Sequence, residues 1–157
     1  MTTQSEQSSG QTASLMTEAA KLAIAYAKDR QYAEALQYFQ KVTAFTPEAL
    51  SYYGLALAMR RQRLDDATEF CRQAIDRDPI RADYYFNLGQ VYLARGEKKL
   101  AIRALSQGLR VEPSHSPSLD IQKKLGVRQA PMIEGLDRMN PLNRYLGWMR
   151  HRLKKAG

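Results

Sequence analysis

Apolar and small residues recur along this chain at helical spacing, and most regularly between Ala82 and Pro113. Tyr85, Leu88 and Tyr92 fall at i, i+3 and i+7, which is one stripe of a helix. Ala101, Leu105 and Gly108 fall at i, i+4 and i+7, one stripe of a second helix. Gly89 and Ala101 carry almost no side chain, so the two helices can approach closely there. Gly96 suits a left-handed residue ending the first helix. Pro113 closes the second, because a helix rarely continues past the residue before a proline. Burying Tyr85, Leu88, Tyr92 and Leu105 would contribute roughly 1.5–3 kcal/mol each. A lone hairpin of this kind cannot bury both faces, so the pattern calls for neighbours.

The neighbours are present. Ala67, Cys71, Ala74 and Pro79 repeat the spacing of Ala101, Leu105, Gly108 and Pro113 at an offset of 34 residues. Ala35, Phe39, Val42 and Pro47 repeat it again, 32 residues upstream of the middle set. Ala19, Leu22-Ala23 and Tyr26 supply the first helix of the earliest unit. The period predicts three helical hairpins over about 15–47, 48–81 and 82–115. In the earliest unit the first helix runs to about Lys28 and Tyr32 opens the second, which is expected to end before Pro47. The middle unit departs from the pattern. Its first helix is expected over Leu50 to Arg60, Gly54-Leu55 stand in reversed order, and the turn Arg61-Gln62-Arg63 has no glycine. The register of that helix against its neighbours stays open.

An aromatic, then Leu-Gly, then Tyr, followed by Ala, a large apolar residue and Pro, resembles the tetratricopeptide repeat, a 34-residue helix–turn–helix unit. Tyr85 stands where that motif has Trp, and Leu105 where it has Phe. The resemblance implies an all-α fold: a right-handed superhelix of three antiparallel helix pairs, with a concave face lined mostly by first helices. It implies a non-catalytic protein–protein interaction module, with a partner peptide or helix held in that groove. On that frame the groove candidates are Lys21, Ile24 and Lys28 in the first repeat. Tyr52, Tyr53 and Arg60 come from the second, and Phe86, Asn87, Gln90 and Leu93 from the third. Aromatic side chains are common anchors, Asn87 and Gln90 could bond a peptide backbone, and Lys21, Lys28 and Arg60 would favour an acidic ligand. Chaperone-binding members of the family clamp a C-terminal carboxylate with Lys and Asn. The matching positions here are Ala20, Ile24, Tyr53 or its neighbour, Asp83 and Asn87, so that clamp is missing.

Outside the repeats, residues 1–13 are polar and low in complexity, and are expected to lack a fold of their own. The repeat domain is read as 14–126. Ser116-Pro117 starts a helix over 117–125 that would cap the last repeat, with Gly126 closing it. A connector with Pro131 and Gly135 leads to Asn140-Pro141 and a final helix over 141–155. Leu142, Tyr145, Leu146, Met149 and Leu153 form its apolar stripe.

Charge separates the two parts. The chain carries a net +8, yet residues 1–120 hold 15 Lys/Arg against 14 Asp/Glu, while 121–157 hold 9 against 2. A basic amphipathic helix with Arg144, Tyr145, Trp148, Arg150 and Arg152 could meet an anionic membrane surface or nucleic acid. It could equally pack on the repeats or fill their groove. No apolar run approaches the roughly 18–20 residues needed to cross a membrane, and the N-terminus has no apolar stretch behind a basic start. With one cysteine no internal disulfide can form, and a cytoplasmic location is the expectation. Cys71, His115 and His151 lie too far apart in sequence for a metal-site spacing, and no phosphate loop or nucleophile elbow is present. Neither catalysis nor a cofactor is expected.

Overall fold

The computed structural model describes residues 18–126, and every element in it is helical. Helix α1 covers 18–28. It is followed by α2 (Tyr32–Phe39), α3 (Pro47–Met59), α4 (Leu64–Arg77), α5 (Ala82–Ala94), α6 (Lys98–Val111) and α7 (Ser116–Lys124). The chain divides into two units, 1–122 and 123–157, and the architecture below belongs to the first. The final helix expected over 141–155 and the polar segment 1–13 lie outside the described residues.

Consecutive helices pair as hairpins, α3 with α4 and α5 with α6, and α3 and α4 pack in turn on α5. Helix α1 meets α2 through the stacked rings of Tyr26 and Tyr38, 5.2 Å apart. One core joins α1, α2 and the first turns of α3 around Ala23, Ala35, Phe39, Ala49 and Tyr52. A second joins α3 through α6 around Leu57, Cys71, Leu88, Val91 and Ala101.

The three first helices end alike, and this fixes the register that the sequence leaves open. After α1 the amide of Gln31 bonds Tyr26 O, after α3 that of Gln62 bonds Leu57 O, and after α5 that of Glu97 bonds Tyr92 O. The residues just before them, Arg30, Arg61 and Gly96, have φ of 62°, 53° and 80° and bond Ala27 O, Ala58 O and Leu93 O. Each end is a Schellman motif, in which a left-handed residue satisfies the last orphan carbonyls. Tyr26, Leu57 and Tyr92 are therefore equivalent, and so are Ala23, Gly54 and Gly89.

Close approach confirms this. A Cβ on Gly54 would lie 2.6 Å from Ala67 O and 2.8 Å from Cys71 Sγ, and one on Gly89 would meet Leu105 Cγ at 2.9 Å. The reversed Gly54-Leu55 is thus in register with Gly89-Gln90. First helices are spaced by 31 and 35 residues where second helices are spaced by 32 and 34. A second left-handed residue, Arg63 at φ 44°, lies in the turn between α3 and α4.

Two boundaries differ from the sequence expectation. Helix α2 stops at Phe39 instead of continuing to the residue before Pro47. Pro47 opens α3, three residues ahead of Leu50, behind Thr46, whose hydroxyl accepts the Ala49 amide at 3.2 Å. Proline suits a first helical turn, where its missing N–H costs nothing. In the connection that follows, Phe45 packs on the first core, its ring 6.1 Å from Phe39 and 5.3 Å from Tyr53.

Candidate functional site

The first helices α1, α3 and α5 each present a row of side chains away from their second-helix partners, and the sequence places its groove candidates there. The structure divides them into three groups.

Some are interior. Tyr53 is equivalent to Leu88, and its ring sits among Phe39, Phe45 and Phe70 at centroid distances of 5.1–5.3 Å. Its place is the aromatic core between the first two repeats. Asn87 is 2% exposed, and its Nδ2 donates to Ser51 Oγ at 3.0 Å. Tyr52 is 7% exposed and lies beside Asn87. Burial raises the phenol's pKa, with the carboxylates of Asp83 and Glu48 adding to the rise and the Asn87 amide opposing it. Ser51 also receives, at its carbonyl, the thiol of Cys71 at 3.5 Å. Ser51, Tyr52 and Asn87 thus form a satisfied polar seam between α3 and α5, and among the described residues no buried side-chain polar atom lacks a partner. Asn87 has its amide committed and is not open to a peptide backbone.

Others are surface cations, two of them already paired. Lys21 meets Glu18 at 2.8 Å, and Lys28 meets Glu48 at 3.0 Å while its ammonium lies 5.2 Å from the centre of the Tyr52 ring. Arg60, the cap residue of α3, is exposed.

The third group is half-buried and presents open area: Ile24, Phe86, Gln90 and Leu93. Ile24 packs on the first core and Leu93 on the second. The Phe86 ring meets His115 edge-on at 5.7 Å.

His115 is a residue that the repeat pattern does not single out. It is 6% exposed, with Nδ1 2.7 Å from Ser118 Oγ and Nε2 3.2 Å from Asp83 Oδ1. Ser118 is 0% exposed. The row of Asp, His and Ser therefore offers no nucleophile to a substrate. It ties the start of α7 to the start of α5 and props the ring of Phe86. The signal available in the sequence was modest: a histidine at the N-terminal boundary of a helix, three residues ahead of Ser118.

The thiol of Cys71 is fully buried, and burial pushes its pKa up to about 12. No group of three His, Cys, Asp or Glu side chains among the described residues could hold a metal ion. No described helix is long and apolar enough to cross a membrane. The tail candidates Arg144, Tyr145, Trp148, Arg150 and Arg152 lie outside the described residues.

Helix pairs repeating in register, small residues at each crossing and Schellman ends to each first helix define a helical-repeat protein. The chain belongs to the tetratricopeptide-repeat family: two family models described as tetratricopeptide repeat match residues 20–79 and 58–125. Among solved structures it is similar to YrrB, described as a TPR protein with an unusual peptide-binding site. The identity is 25% and the TM-score 0.58, with 69% of this chain and 57% of YrrB covered. The first TPR domain of human RPAP3 is similar at 17% identity and a TM-score of 0.60, covering 71% of this chain and 90% of that one. MamA is similar at 24% identity and a TM-score of 0.55, covering 72% and 70%. The chain thus spans little more than half the length of YrrB. No curated protein matches the sequence.

Proposed function

We propose that this chain is a non-catalytic protein–protein interaction module, an adaptor, scaffold or client-binding chaperone. It holds a partner peptide or helix on the face carried by α1, α3 and α5. The observation that supports this most is the half-buried set Ile24, Phe86, Gln90 and Leu93, with Ile24 and Leu93 packed on the two cores. Apolar side chains left partly open on a rigid base cost little to desolvate further and lose little entropy when a partner covers them. The likeness to YrrB, whose description names a peptide-binding site, points the same way.

The register revises which residues meet the partner. Phe86 is the aromatic anchor, Gln90 offers both a donor and an acceptor, and Ile24 and Leu93 extend the apolar area. Tyr52 and Asn87 stay buried. With Lys21 and Lys28 paired to Glu18 and Glu48, this face selects its partner by apolar shape more than by charge.

Peptide display against the full chain, followed by affinity measurement, tests this. Phe86→Ala should weaken the selected peptide about tenfold or more, equivalent to about 1.4 kcal/mol, while the helical circular-dichroism signal is kept. Unchanged affinity for every selected peptide would remove the assignment.

A further inference from the structure

A second surface lies on another face of α5. There a recess of about 330 Å³ opens between α4, α5 and α6. Leu88 and Tyr92 form its buried floor, and Leu100, 36% exposed, stands at its edge. That volume is at the low end for a ligand pocket and suits one or two side chains, too few for a packed helix.

The rim is cationic. Arg72 lines the recess, and its Nη2 donates to the Tyr92 hydroxyl at 2.9 Å, which holds the guanidinium at the floor's edge. Arg103 lines it from α6. Among the described cations Lys21, Lys28, Arg63, Arg81 and Arg95 have a carboxylate within 4 Å, and most others do not. Among the described residues neither Arg72 nor Arg103 has one, although Asp76 lines the same recess. Two guanidinium groups against one carboxylate leave the rim positive. A guanidinium fork is best satisfied by a carboxylate taken bidentately, and an apolar floor is best covered by an apolar side chain.

We propose that this recess is a second peptide-docking site, independent of the α1–α3–α5 face, for an acidic segment of a partner protein. A Leu, Ile or Phe of the partner enters over Leu88 and Tyr92 against Leu100, and flanking carboxylates pair with Arg72 and Arg103. Asp76 keeps a third carboxylate away from its own edge, so the acidic residues sit on the Arg side of the anchor. A phosphodiester backbone would satisfy the arginines but leave the floor uncovered, which favours a peptide over nucleic acid.

The test uses the full chain and a fluorescein-labelled peptide, Gly-Glu-Glu-Phe-Glu-Glu-Gly, read by fluorescence anisotropy beside its glutamine counterpart. Binding should weaken with added salt, fall about tenfold or more with Arg103→Glu or Arg72→Glu, and be lost in the glutamine peptide. Leu100→Glu should weaken it too, and Phe86→Ala should leave it unchanged. These variants are at the surface or half-buried, and circular dichroism checks their folding. No binding at millimolar peptide overturns the proposal. So does equal binding of the glutamine peptide, or indifference to Arg103→Glu. A gain of tenfold on truncation at Gly126 would assign the recess to the chain's own residues 127–157 instead of a partner. Arg103-dependent flotation on phosphatidylserine vesicles without peptide binding would assign it to a membrane; either result overturns the proposal.

Discussion

In the first repeat the small residue facing the second helix is Ala23 and the large one is Phe39; in the third they are Gly89 and Leu105. Both pairs are buried, but the surroundings differ. In the third repeat two helices of full length meet, and the space is closed by their direct approach. In the first, α2 has eight residues, and the connection to α3 brings in Phe45 to stack beside Phe39. Leu22 is 45% exposed where its equivalent Leu88 is 6%, because no described helix precedes α1 to cover it. The comparison teaches that one repeat frame tolerates two ways of filling space: helix against helix, or a ring cluster in place of missing helix. The middle repeat uses both, with Gly54 close against α4 and Tyr53 in the ring cluster.

The strongest way to break the comparison is to remove the ring that the first repeat depends on. Phe39→Ala should cost about 3–5 kcal/mol, the range for a buried Phe leaving a cavity. Urea denaturation with amide exchange should show α1 and α2 released before α5 and α6. A loss spread evenly over all the helices would mean that the first repeat is no weaker a unit.

Glycine substitutions sharpen the difference between close approaches. Gly54→Ala drives a Cβ to 2.6 Å from the Ala67 carbonyl, which is backbone and cannot move without parting α3 from α4. Gly89→Ala meets mainly the Leu105 side chain, Cγ at 2.9 Å and a Cδ at 3.0 Å, and that side chain is fully buried and must repack. Overpacking costs typically about 1–3 kcal/mol, offset by up to about 1 kcal/mol of helix propensity. Gly54→Ala should therefore be the more destabilising in thermal melts, and Gly89→Ala destabilising by less. The opposite order would refute the register.

The position held by Phe39 and Leu105 is Cys71 in the middle repeat. Its thiol titrates ordinarily near 9.0 and is held at about 12 in the fold. A raised pKa means the folded state prefers the neutral thiol. That contribution is complete below about pH 9 and is lost as pH rises toward about 12, with a slope of up to about 1.4 kcal/mol per pH unit. Tyr52 and Tyr84, also raised by burial, act in the same direction. Wild type should lose stability faster than Cys71→Ala as pH rises from 8.5 to 10.5, in urea titrations. Parallel losses would show that the thiol is not buried as described.

The smallest expected effect lies in the turns. Arg30→Gly and Arg61→Gly relieve a left-handed residue that carries a Cβ, and should each stabilise by up to about 1 kcal/mol. Gly96→Ala should cost a similar amount in the same melts. A destabilising Arg61→Gly would argue against the Schellman geometry at that end.

Much of the fold was legible in the sequence, because Ala, an apolar residue four positions on, a small or apolar one three further, and Pro recur with each second helix. The first helices were harder. Their spacing of 31 and 35 differs from the 32 and 34 of the second helices by one residue each way, because the α3–α4 turn is one residue longer than the other two and holds a second left-handed residue, Arg63. With no glycine in the α3–α4 turn, the equivalence emerges from the backbone hydrogen bonds and the close approach at Gly54. The site was read less well for a related reason. Tyr53 resembles a groove anchor until the register makes it a core ring. Asn87 is polar on an inward helix, and sequence does not show that Ser51 already engages it. His115 matters through contacts with Asp83 and Phe86 that cross from one repeat unit to the next helix.

Amide chemical-shift mapping of the full chain with the tightest display-selected peptide tests the central claim most directly. The largest shifts are expected at Ile24, Phe86, Gln90 and Leu93, with smaller ones at Ser51 and Asn87. Shifts confined to Leu88, Leu100 and Arg103, or to residues 127–157, for every selected peptide would contradict it.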